Sequence, residues 1–292
     1  MVEAAETGSI VSSGHYVPEG DIDQYLTAVY YQLKFYLRSW RFIGLMLFTI
    51  ALTGGIMAYQ LHLGIDHLKT NSPTVSDFLS SGLGEMSTEV VLIAAFFGGD
   101  AISTDLGTST GYYMLTLPVR RAVLMMGRYT AAFLVGVGVA AAYYAIEAAG
   151  AFYVYGTLPV ELISSVGLGL LYLLACLALA FFLSSLFRSP SVSIVIILLV
   201  MLIGFPAVTA ILSDLGGYEP WWSLSYAGDV IGGVLSTNFQ HVSTLTEGKG
   251  ARAITIYLFS PYVWEGVVIM IAYLAVFLFL SFFIYEYREL KG

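Results

Sequence analysis

The chain has 292 residues, of which 58% are hydrophobic and only 11% charged. Water-soluble domains carry about 25% charged residues, so most of this apolar surface needs lipid as its solvent. The formal net charge of −8 argues against a nucleic-acid partner, and the single cysteine, Cys176, excludes a disulfide framework within the chain.

Residues 1–23 are polar and acidic, with Glu3, Glu6, Glu19, Asp21 and Asp23. They lack the basic start and apolar run of a signal peptide and read as a flexible tail. In residues 24–41, Leu26, Val29, Tyr30, Leu33, Leu37 and Trp40 recur at three- and four-residue steps, which predicts one apolar stripe on a helix. Lys34, Arg38 and Arg41 edge that stripe. Such a helix suits the headgroup layer, its basic side chains snorkelling outward.

Residues 42–292 read as a six-span transmembrane domain. Crossing the hydrocarbon core takes about 20 apolar residues. Phe42–Leu61, Met86–Ser103, Ala122–Ile146, Leu162–Phe187, Val192–Leu212 and Val263–Tyr285 meet that length. The second is the weakest, with Glu89 and Asp100 near its ends, and Pro206 predicts a kink or a freed carbonyl in the fifth. Glu89, Asp100, Arg128, Glu147 and Glu265 are all expected toward span ends, where a charge costs less than at the bilayer centre. That placement weakens the case for an ion relay. Arg128 is expected to pair with Asp100 or Asp105.

Six spans put both termini on one side. Lys34, Arg38, Arg41, Arg120, Arg121, Arg128, Arg188, Arg288 and Lys291 fall there, against Lys69, Lys249 and Arg252 on the other. The positive-inside bias makes the termini cytoplasmic, and with them the loop from Asp105 to Arg121. Outside lie a polar loop from His62 to Glu85, a short connection from Tyr153 to Glu161, and a longer segment from Ser213 to Tyr262. Trp221 and Trp222 suit an interface there, and the apolar run Tyr226 to Leu235 is too short to span. A re-entrant or interfacial helix pair is expected in that segment.

Motifs for chemistry are sparse. Gly107-Thr108-Ser109-Thr110-Gly111 matches the serine-hydrolase elbow in letters, but a membrane helix precedes it and no histidine falls near it on this topology. His62 and His67 stand five apart, not on one helix face as a zinc pair would, so a solvated loop is expected around them and Asp66. No phosphate-cradling G-x-x-x-x-G-K-[ST] occurs, so a nucleotide-driven function needs another subunit to bind the nucleotide.

Asp105-Leu106-Gly107-Thr108, the apolar patch Tyr112 to Leu117, Pro118-Val119-Arg120-Arg121 and Gly127-Arg128 form a recognisable succession. It resembles the membrane subunits of type-2 ATP-binding-cassette (ABC) exporters. The close of the chain, Tyr285-Glu286-Tyr287-Arg288-Glu289-Leu290, is similar to that family's ending after its sixth span. The resemblance implies an all-α membrane protein. It would have six transmembrane helices preceded by an amphipathic interfacial helix, a short cytoplasmic coupling helix, and a re-entrant or interfacial outer segment before the last span. It also implies a permease subunit of the cell membrane that binds no cofactor itself, with ATP and magnesium held by an ABC ATPase subunit. A second permease chain would complete a dimer whose interface forms the path. Asp105, Gly107, Thr108, Tyr112, Leu115, Pro118 and Arg121 would shape the ATPase contact. A structural subunit without a transport path, with a dry apolar interface and no pocket, is the alternative. An intramembrane hydrolase using Ser109 is a third reading.

Overall fold

The computed structural model describes residues 20–104, 121–247 and 254–287. Six helical stretches are long and apolar enough to cross a membrane: Trp40–His62, Val75–Gly98, Arg121–Tyr155, Glu161–Leu186, Pro190–Ser213 and Val263–Tyr285. The protein is a multi-pass, almost entirely helical membrane protein. Apolar runs of this length bury their backbone hydrogen bonds internally, which is what lipid demands.

Helix α1 spans Asp21–Leu37 and α2 spans Trp40–His62. Ser39 makes the break between them. Its Oγ accepts from the Phe42 N–H at 3.2 Å and donates to the Tyr36 carbonyl at 2.7 Å, capping the second helix while closing the first. Trp40 and Arg41 therefore belong to the first span, not to the interfacial helix. Trp40 is 85% exposed at the helix start, a position that suits an interfacial anchor.

α1 packs along the third span, with Tyr25 Oη 2.7 Å from Thr130 Oγ1. A Cβ on Gly127 would lie 2.8 Å from the Ala28 Cβ, so the two helices meet closely only because that position has no side chain. The expected stripe is thus divided. Ala28, Val29, Leu33 and Tyr36 face the bundle, while Ile22, Leu26, Tyr30 and Leu37 stay exposed beside the exposed Lys34 and Arg38.

The expected polar loop from His62 to Glu85 is mostly helical, with α3 at Ile65–Asn71 and α4 at Val75–Gly84. α4 runs almost directly into α5, Met86–Gly98, so the second span begins at Val75 and not at Met86. Its polar residues disguise it in sequence, but they have partners. Thr74 caps α4 through the Asp77 N–H at 3.1 Å, and Asp77 accepts from Thr237 Oγ1 at 2.6 Å. The third span, α6 (Arg121–Tyr155), runs nine residues past the expected end.

α7, Glu161–Leu186, is the central helix. Leu173, Cys176, Leu177, Ala180 and Phe181 on it are fully buried, and it packs against α5, α6 and the last span, α12 (Val263–Tyr287). The fifth span is broken as Pro206 predicts. α8 (Pro190–Leu198) passes into a π-helical stretch, Leu199–Gly204, then α9 (Phe205–Thr209), then a second π stretch, Ala210–Leu215. Proline cannot donate to the ladder, and wide turns absorb the lost bond.

The outer segment contains the expected helix pair, α10 (Leu224–Gly228) and α11 (Val230–Gly233), buried against α4, α7 and α12. A hairpin was not expected. β1 (Val242–Glu247) pairs antiparallel with β2 (Ile254–Phe259), Val242 opposite Phe259.

The α1–α6 contact gives a first prediction. Gly127→Leu should push α1 off α6 at a cost of about 1–3 kcal/mol. It would be read as a lower melting midpoint and faster proteolysis within Asp21–Leu37, whereas Gly138→Leu, at an open position of the same helix, should leave both unchanged.

Candidate functional site

The bundle holds a cavity of about 440 Å³ between α2, the α4–α5 span and α6. Its apolar wall is Phe48, Leu52, Ile56 and Leu92, and its polar wall includes Thr53, Gln60, Thr88 and Tyr143. Three carboxylates line it: Glu85, Glu89 and Glu147. Among the described residues no lysine or arginine does.

The carboxylates differ in their surroundings. Glu85 sits exposed at the α4–α5 junction. Glu89 is 4% exposed and meets the Thr49 hydroxyl of α2. Glu147 is 5% exposed and has no hydrogen bond or ion pair with any described residue. Its carboxyl group lies against Gly82, where a Cβ would collide with it. The neighbouring Tyr143 hydroxyl is occupied, donating to the Gly82 carbonyl at 2.7 Å.

With the second span starting at Val75 and the third running to Tyr155, Glu89 and Glu147 lie within helices longer than the sequence boundaries suggested, and they share one cavity. Ionisable groups inside membrane-spanning helices are costly, by up to about 2.5–3.5 kcal/mol for a central charge on insertion scales. They occur chiefly along solute or ion pathways.

A second constellation lies where α5 ends. Arg41 of α2 forms an ion pair with Asp100. The Tyr36 hydroxyl of α1 donates to the Phe97 carbonyl at 3.0 Å. Arg128 of α6 donates to the Ala101 carbonyl at 2.8 Å, and Ser184 Oγ of α7 accepts from the Ile102 and Ser103 N–H groups at 3.2 and 3.1 Å. Arg41 is thus the ion-pair partner of Asp100, with the Arg128 charge also within its electrostatic reach, while Asp105 lies outside the described residues. Four helices grip the root from which the loop before α6 departs.

Of the residues expected to shape an ATPase contact, Asp105, Gly107, Thr108, Tyr112, Leu115 and Pro118 lie outside the described residues, as does Ser109. Arg121 opens α6. Among the basic residues of the expected interfacial helix, Lys34 is in α1 with its Nζ 5.9 Å from the centre of the Tyr30 ring, Arg38 is in the break, and Arg41 serves the ion pair. His62 and His67 are exposed, and His67 sits on α3, not in a loop.

Sequence reading missed the cavity because its acids come from separate spans with no common motif. The signal that was present is chemical: a glutamate in the middle of a long apolar run, as at Glu147.

Glu147→Gln should leave the melting midpoint unchanged or raise it, because it removes a buried unpaired carboxyl and keeps its shape. Arg41→Gln should lower the midpoint, with a stability loss of about 1–2 kcal/mol, less than for a fully buried pair because Arg41 is about half exposed. Thermal unfolding in detergent measures both. No protein-family model matches the chain, and no curated protein matches it.

Proposed function

We propose that the protein is a permease subunit of an ATP-driven exporter of the ABC type. Its cavity would contribute to the path, and a separate ATPase would drive it through the loop between the second and third spans. The observation that carries the transport reading is the cavity, with two buried carboxylates, Glu89 and Glu147, on its wall. A purely structural subunit has no use for a group as costly as the unpaired Glu147. The lining favours a cargo with an apolar body and no net negative charge.

The coupling part rests on the residue succession from Asp105 to Arg128. The grip on the root of the loop supports it physically. A displacement applied to that loop is passed at Asp100 to Ser103 into α1, α2, α6 and α7 together, so the bundle moves as packed elements. On this reading the termini and the loop are cytoplasmic, and a second permease chain covers part of the exposed apolar helix surface.

Two measurements test the reading. The ATPase subunit should co-purify with the chain, and Tyr112→Ala with Leu115→Ala should cut its recovery about tenfold, the effect of losing about 1.4 kcal/mol of contact. In reconstituted vesicles with that subunit, transport should depend on nucleotide and fall about tenfold or more in Glu147→Gln while the complex still assembles. Absence of any nucleotide-binding subunit and of nucleotide-linked transport would overturn the proposal. So would a single cysteine at position 112 labelling from the face opposite the termini; buried Cys176 gives no competing signal.

A further inference from the structure

We infer that Glu219, His241 and Glu265 form a binding site for a divalent metal ion of the zinc class, on the face of the bundle remote from the chain termini. The site is separate from the cavity and does not depend on the transport reading. Among the described residues this is the only group of three His, Cys, Asp or Glu side chains close enough to share an ion, their ligand atoms lying within 4.8 Å of one another.

The three residues come from separate stretches. Glu219 precedes α10, His241 stands just before β1, and Glu265 is in the first turn of α12. His241 Nε2 is 3.7 Å from Glu219 Oε1. A tetrahedral zinc ion with bonds of about 2.0–2.1 Å holds its ligand atoms roughly 3.4 Å apart. Small side-chain rotations close the remaining difference.

Each ligand is also oriented from behind. The His241 Nδ1 lies 2.9 Å from the Ser260 carbonyl oxygen. A carbonyl only accepts, so Nδ1 carries the hydrogen, and the neutral ring then has its lone pair on Nε2, toward Glu219. The Tyr262 ring stacks on the imidazole at 4.5 Å and 18°. Glu219 Oε1 accepts from the Tyr226 hydroxyl at 2.9 Å, and Glu265 Oε2 accepts from the Tyr262 N–H at 2.9 Å. One imidazole and two carboxylates, each with such a partner, match the ligand chemistry of zinc and its neighbours, leaving a fourth position for water. A bound ion would fasten the hairpin and the approach to α10 onto the start of α12.

The test uses the full-length chain, purified in detergent and stripped with EDTA. Titration with zinc chloride by calorimetry should show one tight zinc per chain, and zinc should raise the melting midpoint. His241→Phe, which keeps the stacking ring, and Glu265→Gln, which keeps the shape, should each weaken zinc binding at least about tenfold. His62→Gln with His67→Gln should not weaken it. The inference is overturned if the stripped protein binds no zinc, which would make the triad an ion pair only. Zinc affinity unchanged in both His241→Phe and Glu265→Gln, or lost in the His62/His67 variant, overturns it equally.

Discussion

The ion pair between Arg41 and Asp100 is the point on which the arrangement of this bundle turns. It sits where the first span begins and the second ends, so it fixes both helices at the same end. Asp100 is held in turn among groups from α1, α6 and α7. The Tyr36 hydroxyl, the Arg128 guanidinium and the Ser184 hydroxyl all satisfy backbone groups next to it. A helix end inside a membrane protein leaves carbonyls and N–H groups that lipid cannot satisfy, and each one left unpaired costs several kcal/mol. Supplying those partners from three different helices, with a fourth holding the Asp100 side chain, makes the end of α5 a shared structural element and not a frayed terminus. Whatever leaves the bundle at Thr104 is anchored to all of them.

The cavity obeys the opposite logic. Thr53, Tyr143 and the glutamates give it polar surface opposite the apolar wall of Phe48, Leu52, Ile56 and Leu92. Gly82 permits the approach of Glu147, and among the described residues the carboxyl group gains no hydrogen-bond or ion-pair partner in return. Local choices that oppose stability concentrate at functional sites. The contrast with Asp100, whose charge is matched by Arg41, separates an acid that holds the fold together from one that the fold merely accommodates.

Length and apolarity made six spans legible, along with the break at Pro206 and the buried helix pair before the last span. These features follow from lipid as a solvent, which constrains backbone more severely than water does. The second span was only half legible, because Ser76, Asp77, Ser80 and Ser81 dilute its first turns and the Thr237 hydroxyl that meets Asp77 comes from far along the chain. The hairpin was hidden for a related reason. Val242 to Glu247 alternates apolar and polar residues only weakly, and its partner strand begins after an intervening stretch that carries Lys249 and Arg252. The sequence boundaries also cut two helices short, one by eleven residues at its start and another by nine at its end, so the shared cavity of Glu89 and Glu147 could not be read from them. The Glu219, His241 and Glu265 triad has no spacing that a linear reading recognises, since tertiary contacts alone bring it together.

The two wide turns of the fifth span change how that helix relates to its own sequence. A π turn takes in one residue beyond the regular winding, and each extra residue rotates everything after it by about 100°. Side chains before Leu199 and after Leu215 therefore look toward different neighbours than an unbroken helix would give them. Val195, Leu199, Ile203 and Ile211 lie exposed along its length, on both sides of the first wide turn and into the second. Any surface laid against this span must follow that rotation, and shortening the span by a single residue at either wide turn would redirect a whole face while leaving the length of the crossing almost the same.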